Sequence, residues 1–490
     1  MTTWLERFNL VIFGAALLVG AGLRWLQINT RSFWYDEALS SLIAGLSVSQ
    51  IVANVAGSVH PPGYYLLLHY WSVFGQSEGV LRSLSALFSF CAIPLVFGLG
   101  RWLFDRPTAA IAALGMAISP FQIYFAQETR MYGLMTFLAV AIIWSFLYAT
   151  TTNGRWWTWG GYAVFVILGL YTHYYMAFLV MSLHLWWIVH FKPYKSALVS
   201  LIVADVMIGL LFLPQLGQAL SRTQAYLGGV AWQTAPNVLS PLTTIYYLLF
   251  AHGTPIWLFP MSLFLTLVVL ILTAWEARYH PQSRVEAEAA LWLSVLMPLA
   301  IVMAISWLVK PIYLERSFAS GSPALILLIA RGMTGAPKRS PTPFLAMLLG
   351  FAAVIILVTN IVTPDPAKPP LRDAAQLVEA DFQPNDVSLH LQDASFLPAA
   401  WYTPGIHHVL ADVPGAAFAL PAAHRLFGGQ MTDWQEATKD ADRLWLTVMP
   451  GYTGEAQTAV QEKIEQTYPQ LMMKDWGSIQ LYLYDLKPER

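Results

Sequence analysis

Charged residues are scarce in this chain, and cysteine is nearly absent. Asp, Glu, Lys and Arg make up 11% of the 490 residues, whereas hydrophobic residues make up 57%. Ordinary soluble proteins carry about 25% charged residues. A soluble chain with this composition could not cover its surface with polar side chains, so most of it is expected to face lipid. One cysteine, Cys91, excludes an internal disulfide and a cysteine-based metal site. The net charge of −1 gives no reason to expect a nucleic-acid partner.

The few charges are unevenly distributed along the chain. Of the 28 acidic residues, 17 follow residue 364, which predicts a membrane domain, 1–363, and a soluble C-terminal domain, 364–490. A crossing of the ~30 Å hydrocarbon core needs about 20 apolar residues. The amphipathic run 238–251 is expected to lie flat on the bilayer. We predict eleven transmembrane helices, at 8–28, 82–101, 107–125, 131–150, 157–172, 174–191, 197–214, 255–275, 287–308, 317–332 and 342–363.

Lysine and arginine predict how these helices are oriented. Every second loop is short and basic, and such loops face the cytoplasm. Eleven crossings then place the C-terminal domain outside, in a multi-pass protein of the cytoplasmic membrane. Cations at the outer surface suit an anionic ligand such as a lipid phosphate, although long loops are also translocated regardless of their charge. The basic residues on or near the outer side are Arg24, Arg31, Arg82, Arg130, Arg222, Lys310 and Arg316.

Polar motifs concentrate in the predicted outer loops. Asp36-Glu37 taken alone is equally well explained as the N-cap of a helix over 37–47. The proline pair after His60 fixes an extended backbone, because a residue that precedes proline avoids the α region. In chain order the motifs are Asp36-Glu37, His60-Pro61-Pro62-Gly63-Tyr64-Tyr65, Leu81-Arg82-Ser83-Leu84-Ser85, Gln127-Glu128-Thr129-Arg130-Met131-Tyr132, Thr172-His173-Tyr174 and Tyr313-Leu314-Glu315-Arg316.

In this order the motifs resemble those of the GT-C integral membrane glycosyltransferases, specifically the bacterial branch of glycosyltransferase family 39. That branch is related to protein O-mannosyltransferases and to aminoarabinose transferases. The resemblance covers residues 1 to about 335 and implies a polytopic, all-α GT-C membrane fold. The C-terminal part resembles only a generic appended domain outside the membrane.

The resemblance also implies a reaction. GT-C enzymes use polyprenyl-phosphate-linked sugars, and the acceptor here would be a hydroxyl of a lipid, a glycan or a protein at the outer face of the bacterial membrane. A phosphate leaving group needs charge neutralisation rather than protonation. One general base is therefore enough to activate the acceptor for inverting displacement.

Ten residues receive roles from this resemblance. Asp36 is the expected general base, Glu37 is a neighbour that positions the acceptor or holds a metal ion, and Glu128 is expected to orient the acceptor or the base. Arg130 and Arg316 are expected to bind the donor phosphate, since a guanidinium can bind two phosphate oxygens at once. The residues expected to contact phosphate or sugar are His60, Tyr132, His173, Tyr174 and Tyr313.

One departure from the family pattern bears on the metal and the sugar. Aminoarabinose transferases have Glu-Lys before the two prolines, with the Glu as a metal ligand and the Lys on the phosphate. This chain has Val59 and His60 at these positions. Aminoarabinose is therefore not the expected sugar, and no cofactor is assigned. His60, His173 and Glu128 leave a divalent metal ion possible.

A lipid or polysaccharide transporter of the cell envelope is the alternative function. Transporters place ionisable groups near the bilayer midplane, between internal repeats. Here only Asp205 is central, and we expect it to form a helix–helix hydrogen bond instead.

The C-terminal domain shows a different periodicity from the membrane domain. Strands alternating with helices predict a small α/β domain with a mainly parallel sheet. It contains no phosphate-binding glycine loop and no nucleophile motif, so we expect it to recognise the acceptor or shield the site. The predicted strands are 386–391, 408–411, 444–448 and 479–484, and the predicted helices are 371–381 and 453–467.

Overall fold

The structure, a computed structural model, describes residues 2–152, 154–228, 233–363, 365, 368–413 and 421–487. The chain divides into two compact units. One comprises Met1–Leu26 and Arg82–Thr363, and the other comprises Gln27–Leu81 and Pro364–Arg490. The segment Gln27–Leu81, which the sequence analysis assigned to the membrane domain, thus belongs to the same unit as the C-terminal residues.

Helices account for almost all regular structure before residue 363. Most are apolar, and several begin at a proline or end before one. In chain order they are α1 (Thr2–Trp25), α2 (Tyr35–Ala44), α3 (Val48–Val52), α4 (Gly63–Trp71), α5 (Glu78–Leu103), α6 (Arg106–Ile118), α7 (Pro120–Ala126), α8 (Tyr132–Thr151), α9 (Trp156–Thr172), α10 (Met176–Val189), α11 (Phe191–Tyr194), α12 (Leu198–Gly228), α13 (Ser240–Phe250), α14 (Phe259–Glu276), α15 (Gln282–Leu308), α16 (Ser322–Gly335) and α17 (Thr342–Val362).

The predicted polytopic helical architecture is confirmed. Within the described residues, seven helices are long and apolar enough to cross a bilayer, or eight if α6 and α7, which meet at 52°, form one bent span. All eleven predicted spans coincide with helices. However, α9, α10 and α16 contain only 17, 14 and 14 residues, which is short of the ~20 needed for a straight crossing. The count of eleven therefore stays a prediction.

Arg24 binds the end of helix α6, at the break between α6 and α7. Ser119 precedes a proline, so helix α6 ends at Ile118 and leaves its last carbonyl groups without partners inside the helix. The buried guanidinium of Arg24 donates to the carbonyl oxygens of Met116 (2.9 Å) and Ala117 (3.3 Å), and to Oγ of Ser89 (2.9 Å). One of the basic residues assigned to the outer side is thus a structural cap on a helix C-terminus.

Other polar pairs join helices of the same unit. His184 of α10 places Nε2 2.9 Å from the carboxylate of Asp205 on α12, which confirms the expected helix–helix hydrogen bond. Near the start of α15, Glu288 accepts a hydrogen bond from Nε of Arg331 at 3.1 Å and lies 2.7 Å from Nδ1 of His280. The carboxylates of Asp205 and Glu288 each have a cationic or protonatable partner within hydrogen-bond distance. Neither therefore places an uncompensated negative charge in the interior.

Helix α13 is more deeply placed than its amphipathic sequence suggested. All residues from Thr244 to Phe250 are buried. Its last turn accepts hydrogen bonds from two other helices, since Ser119 Oγ donates to the carbonyl of Leu249 (3.1 Å) and Ser322 Oγ donates to that of Leu248 (2.6 Å). This half of α13 is therefore covered by other helices, and its orientation relative to the bilayer stays a prediction.

The C-terminal part of the second unit has the predicted α/β fold, and its sheet has six strands. The strand order is β3-β2-β1-β4-β6-β5; the first four strands run parallel, and β6 runs antiparallel to both of its neighbours, β4 and β5. The four predicted strands correspond to β1, β2, β4 and β6. The elements are α18 (Leu371–Asp381), β1 (Asp386–His390), α19 (Asp393–Tyr402), β2 (His408–Ala411), α20 (Pro421–Leu426), β3 (Gln430–Thr432), α21 (Trp434–Thr438), β4 (Arg443–Val448), α22 (Glu455–Thr467), β5 (Gln470–Asp475) and β6 (Gln480–Asp485).

The close approach of α8 to α5 gives a testable prediction. A Cβ atom on Gly133 would lie 2.5 Å from the carbonyl oxygen of Ser85, so Gly133→Ala must push two backbones apart. We expect a loss of about 1–3 kcal/mol, seen as a lower thermal unfolding midpoint in detergent. Gly209→Ala is the matched control, because a Cβ there meets no atom within 4 Å. Equal midpoints for the two variants would contradict this prediction.

Candidate active site

The ten residues selected from the sequence are divided between the two units. The three connections that carry motifs in the helical unit lie between α7 and α8, between α9 and α10, and after α15. Asp36, Glu37 and His60 lie in the second unit. The residues in the helical unit are Glu128, Arg130, Tyr132, His173, Tyr174, Tyr313 and Arg316.

The turn between α7 and α8 buries a carboxylate and a guanidinium. Glu128 and Arg130 are only 1% and 2% exposed. The side chain of Gln127 anchors the turn by donating to the carbonyls of Leu23 (3.0 Å) and Leu26 (2.8 Å) at the end of α1. Ser85 Oγ donates to the carbonyl of Arg130 at 2.8 Å. Hydrogen bonds therefore fix this turn from two sides. Because Glu128 and Arg130 are buried, they interact with nearby charges more strongly than groups in water would.

His173 joins this turn to the loop after α15. Burial and, to a smaller extent, the charges of Arg130 and Arg316 lower the pKa of His173 to about 3. The three residues, from three different connections, are thus close enough to interact electrostatically. Nδ1 of His173 accepts the backbone N–H of Tyr175 at 3.2 Å, which leaves the proton of the neutral ring on Nε2. His173 is therefore a neutral hydrogen-bond donor beside two arginines.

Tyr247 of α13 also belongs to this cluster. Burial raises its pKa well above the usual value, the charge of Glu128 acts in the same direction, and the charge of Arg316 opposes it. Its hydroxyl lies 3.0 Å from Nε2 of His252. Tyr132, at the start of α8, is buried as well, and its hydroxyl has no hydrogen-bond partner within the described part of the chain.

Sequence reasoning missed Tyr247 because the run 238–251 was assigned to the membrane surface. The signal was present in the pair Tyr246-Tyr247, since tyrosines in an apolar run bring hydroxyl groups that need partners. Glu315, whose charge also acts on Tyr247, stood within a quoted motif but received no role.

Two other selected tyrosines make hydrogen bonds to the protein. The hydroxyl of Tyr313 lies 2.6 Å from Oγ1 of Thr244, and burial raises its pKa to about 12. Tyr174 accepts a hydrogen bond from Gln215 Nε2 of α12 at 2.9 Å, and Arg222 acts on it electrostatically. Tyr313 thus connects the loop after α15 to α13, while Tyr174 lies against α12.

In the second unit, Asp36 and Glu37 occupy the first turn of α2. Trp34 is the N-cap, and no side chain caps this helix, so the alternative role of Asp36-Glu37 as the cap is wrong. Asp36 is half-buried, whereas Glu37 is fully buried and places its carboxylate 3.3 Å from Nζ of Lys368.

His60 lies beside the other end of the same helix. It lines a small cavity together with Ile43 and Leu46, whereas Asp36 and Glu37 stand at the start of α2. Among the residues that the structure describes, no group of three or more His, Cys, Asp or Glu side chains is arranged to hold a metal ion.

The low pKa of His173 predicts how stability depends on pH. Below its ordinary pKa of 6.5, the unfolded protein binds a proton that the folded protein takes up only near pH 3. Stability is therefore lost as the pH falls through this window, by at most about 1.4 kcal/mol per pH unit. The amide of His173→Gln does not titrate, so the unfolding midpoint of the wild type should fall more between pH 7 and pH 5 than that of the variant. Parallel curves would contradict this.

Comparison with known proteins agrees with the fold and the motifs. A family model described as dolichyl-phosphate-mannose-protein mannosyltransferase matches residues 59–217. None of the curated proteins compared with the sequence matches it.

Three solved structures illustrate the likeness of fold. ArnT from Cupriavidus metallidurans in the apo state is 12% identical, with 99% of this chain and 98% of that chain covered and a TM-score of 0.65. The same protein bound to undecaprenyl phosphate is 12% identical, with 97% of both chains covered and a TM-score of 0.63. The oligosaccharyltransferase of Archaeoglobus fulgidus, tethered to an acceptor peptide, is 12% identical, with 98% and 74% covered and a TM-score of 0.53. The predicted GT-C membrane fold is confirmed: this chain is a multi-pass membrane protein whose fold is similar to those of ArnT and the archaeal oligosaccharyltransferase.

Proposed function

We propose that the protein is an inverting glycosyltransferase that moves a sugar from a polyprenyl-phosphate donor to an acceptor hydroxyl. The observation that carries this proposal is the buried cluster in which Arg130, Arg316 and His173 interact beside Tyr247. The two arginines and the neutral hydrogen-bond donors His173 and Tyr247 suit a lipid-linked phosphate, because charged donors form strong hydrogen bonds to phosphate oxygens. The similar fold of ArnT, which has been solved with undecaprenyl phosphate, supports the same ligand class. The comparisons give no support for a transporter.

The cluster fits the electrostatics of a phosphate leaving group. Arg130 and Arg316 offset the negative charge that grows on the phosphate as the glycosidic bond breaks. His173 donates through Nε2, and the buried hydroxyl of Tyr132 is available for a further hydrogen bond. These hydrogen-bonding groups are in place before the lipid-linked sugar binds, so little reorganisation is needed during the reaction. Tyr174 and Tyr313 are proposed to contact the sugar or the phosphate at the edge of the cluster.

Asp36 is proposed to be the general base. The acceptor oxygen forms a bond to the anomeric carbon while the bond from that carbon to the phosphate oxygen breaks, and the polyprenyl phosphate leaves as the anion. The carboxylate of Asp36 takes the acceptor proton, so charge and protons balance. Asp36 is half-buried, as a base that must reach its substrate has to be, and Glu128 is proposed to orient the acceptor or the base. His60 is proposed to contact the phosphate or the sugar.

The proposed location is the cytoplasmic membrane of a bacterium, with chemistry on the outer face. The alternating basic loops support this orientation. The outer face lacks nucleotide sugars, which fits a donor carried by lipid. The acceptor would be a lipid, a glycan or a protein that is exposed there.

The role of Asp36 is tested by Asp36→Asn. We expect the release of undecaprenyl phosphate from undecaprenyl-phosphate sugars, measured with purified protein and an envelope extract as the acceptor source, to fall at least about 100-fold. Asp440→Asn, at an exposed position, is the control and should retain wild-type turnover. Full activity of Asp36→Asn would remove this residue as the base. A wild type that turns over no such donor would refute the proposed function.

The role of Arg316 is tested by its affinity for the donor phosphate. Loss of a charge-assisted contact should weaken the binding of undecaprenyl phosphate to Arg316→Ala roughly 10- to 100-fold, measured by titration calorimetry in detergent. Arg155→Ala removes an exposed arginine that stacks on Trp157 and should leave the affinity unchanged. Unaltered binding to Arg316→Ala would exclude it from the phosphate site.

A further inference from the structure

The second unit contains a buried ion pair directly beside Asp36. Nζ of Lys368 lies 3.3 Å from Oε2 of Glu37, and the two side chains are only 3% and 0% exposed. Glu37 stands in the first turn of α2, next in sequence to Asp36. Lys368 comes from the segment that leads into the α/β domain. A residue far away along the chain thus provides the counter-ion at the proposed base.

Neighbouring contacts attach the same two segments to each other. Arg31 pairs with Asp365 at 3.2 Å. The guanidinium of Arg372 donates to the carbonyls of Asn29 (3.1 Å) and Thr30 (3.0 Å) and to the carboxylate of Glu78 (2.6 Å).

Helix α19 of the α/β domain adds contacts on the other side of the Glu37–Lys368 pair. The backbone N–H of Phe33 donates to the hydroxyl of Tyr402 at 2.6 Å, and this hydroxyl donates to Glu78. The ring of Phe33 packs against Trp401 with centroids 4.6 Å apart. The chain that leads into α2 is therefore attached to Asp365 and to helices α18 and α19 of the C-terminal part.

The burial of Glu37 makes its position depend on Lys368. A carboxylate that is fully removed from water needs a cationic or hydrogen-bonding partner, and removal of one member of such a pair leaves an uncompensated charge. Without Lys368, the carboxylate of Glu37 loses its charged partner at 3.3 Å, which favours movement toward solvent or uptake of a proton. Since Glu37 and Asp36 share one helical turn, movement of Glu37 rotates or unwinds the turn that carries Asp36.

We propose that Lys368 is a positioning residue for the transfer reaction, which acts through Glu37 to fix the first turn of α2 and so the carboxylate of Asp36. This inference rests on the proposed transferase function. It gives the C-terminal domain a part in catalysis that differs from acceptor recognition or shielding: the domain holds the loop that carries the base.

Four variants of the full chain test this proposal. Lys368→Met removes the charge but keeps the length of the side chain, Lys368→Arg keeps the charge, and the double variant Glu37→Gln with Lys368→Met removes both charges. Lys439→Met is the control, because Lys439 is an exposed lysine of the same domain whose side chain is 66% exposed.

We expect Lys368→Met to lower kcat roughly 10- to 100-fold, because a displacement of about 1 Å at a reacting group has such an effect. The KM for the lipid-linked donor should remain within about twofold, since the residues proposed to bind phosphate are unchanged. Lys368→Arg should retain activity. The double variant should regain slow hydrogen exchange at residues 35–44, because both members of the buried pair are then uncharged.

Hydrogen exchange of residues 35–44 gives a readout that does not require activity. Exchange should be faster in Lys368→Met than in the wild type, and unchanged in Lys439→Met. Equal exchange in all proteins would overturn the proposal even if the wild type transfers sugar. Faster exchange with unchanged kcat would overturn it as well, because the turn would then be free to move without loss of catalysis. If the wild type proves inactive, the transferase function fails, and the exchange result alone decides whether Lys368 fixes this turn.

Discussion

A charge that leaves water for a protein or lipid interior needs a partner, because its desolvation otherwise costs several kcal/mol. This constraint accounts for the placement of the buried charges in the chain. Arg24 lies in a span and is bound by carbonyl oxygens at the end of a broken helix. Asp205 lies in a span and is bound by His184. Glu37 is fully buried and has Lys368. The low charge content of the sequence reflects how few such arrangements a membrane protein can accommodate.

The cluster around Arg130 is subject to the same constraint. Its two arginines and the neutral donors His173 and Tyr247 lie where the carboxylates Glu128 and Glu315 also act. In the proposed reaction, a phosphate would bind to hydrogen-bond donors that the fold already holds in place. The neutral state of His173 follows mainly from its burial, and the charges of the two arginines add to the effect because they disfavour a third cation. The arginines proposed to bind the phosphate thus also help to keep His173 neutral.

The sequence predicted those parts of the fold that depend on local composition. Spans have to be apolar, so every predicted span falls on helical segments, with 107–125 divided between α6 and α7. The strands β1, β2, β4 and β6 were predicted from short segments in which apolar residues recur. Strand β3, which has only three residues, and strand β5, which is mostly exposed, were missed. The roles of Arg130, Arg316 and His173 followed from motifs, whereas Tyr247 and the Glu37–Lys368 pair depend on contacts between distant segments. No local pattern encodes such contacts.

The second unit is discontinuous, and this has a consequence for how the protein is made. Glu78 and Arg372, which bind each other, are separated by 294 residues of chain. At about 5–20 residues per second, synthesis of that interval takes on the order of 15–60 s. The loop that carries Asp36 therefore emerges long before the residues that fix its shape exist. The apolar helices between Glu78 and Arg372 can enter the bilayer during this interval. The segment Gln27–Leu81 meanwhile lacks the C-terminal part of its unit. Completion of the second unit is therefore a late event in the synthesis of this protein.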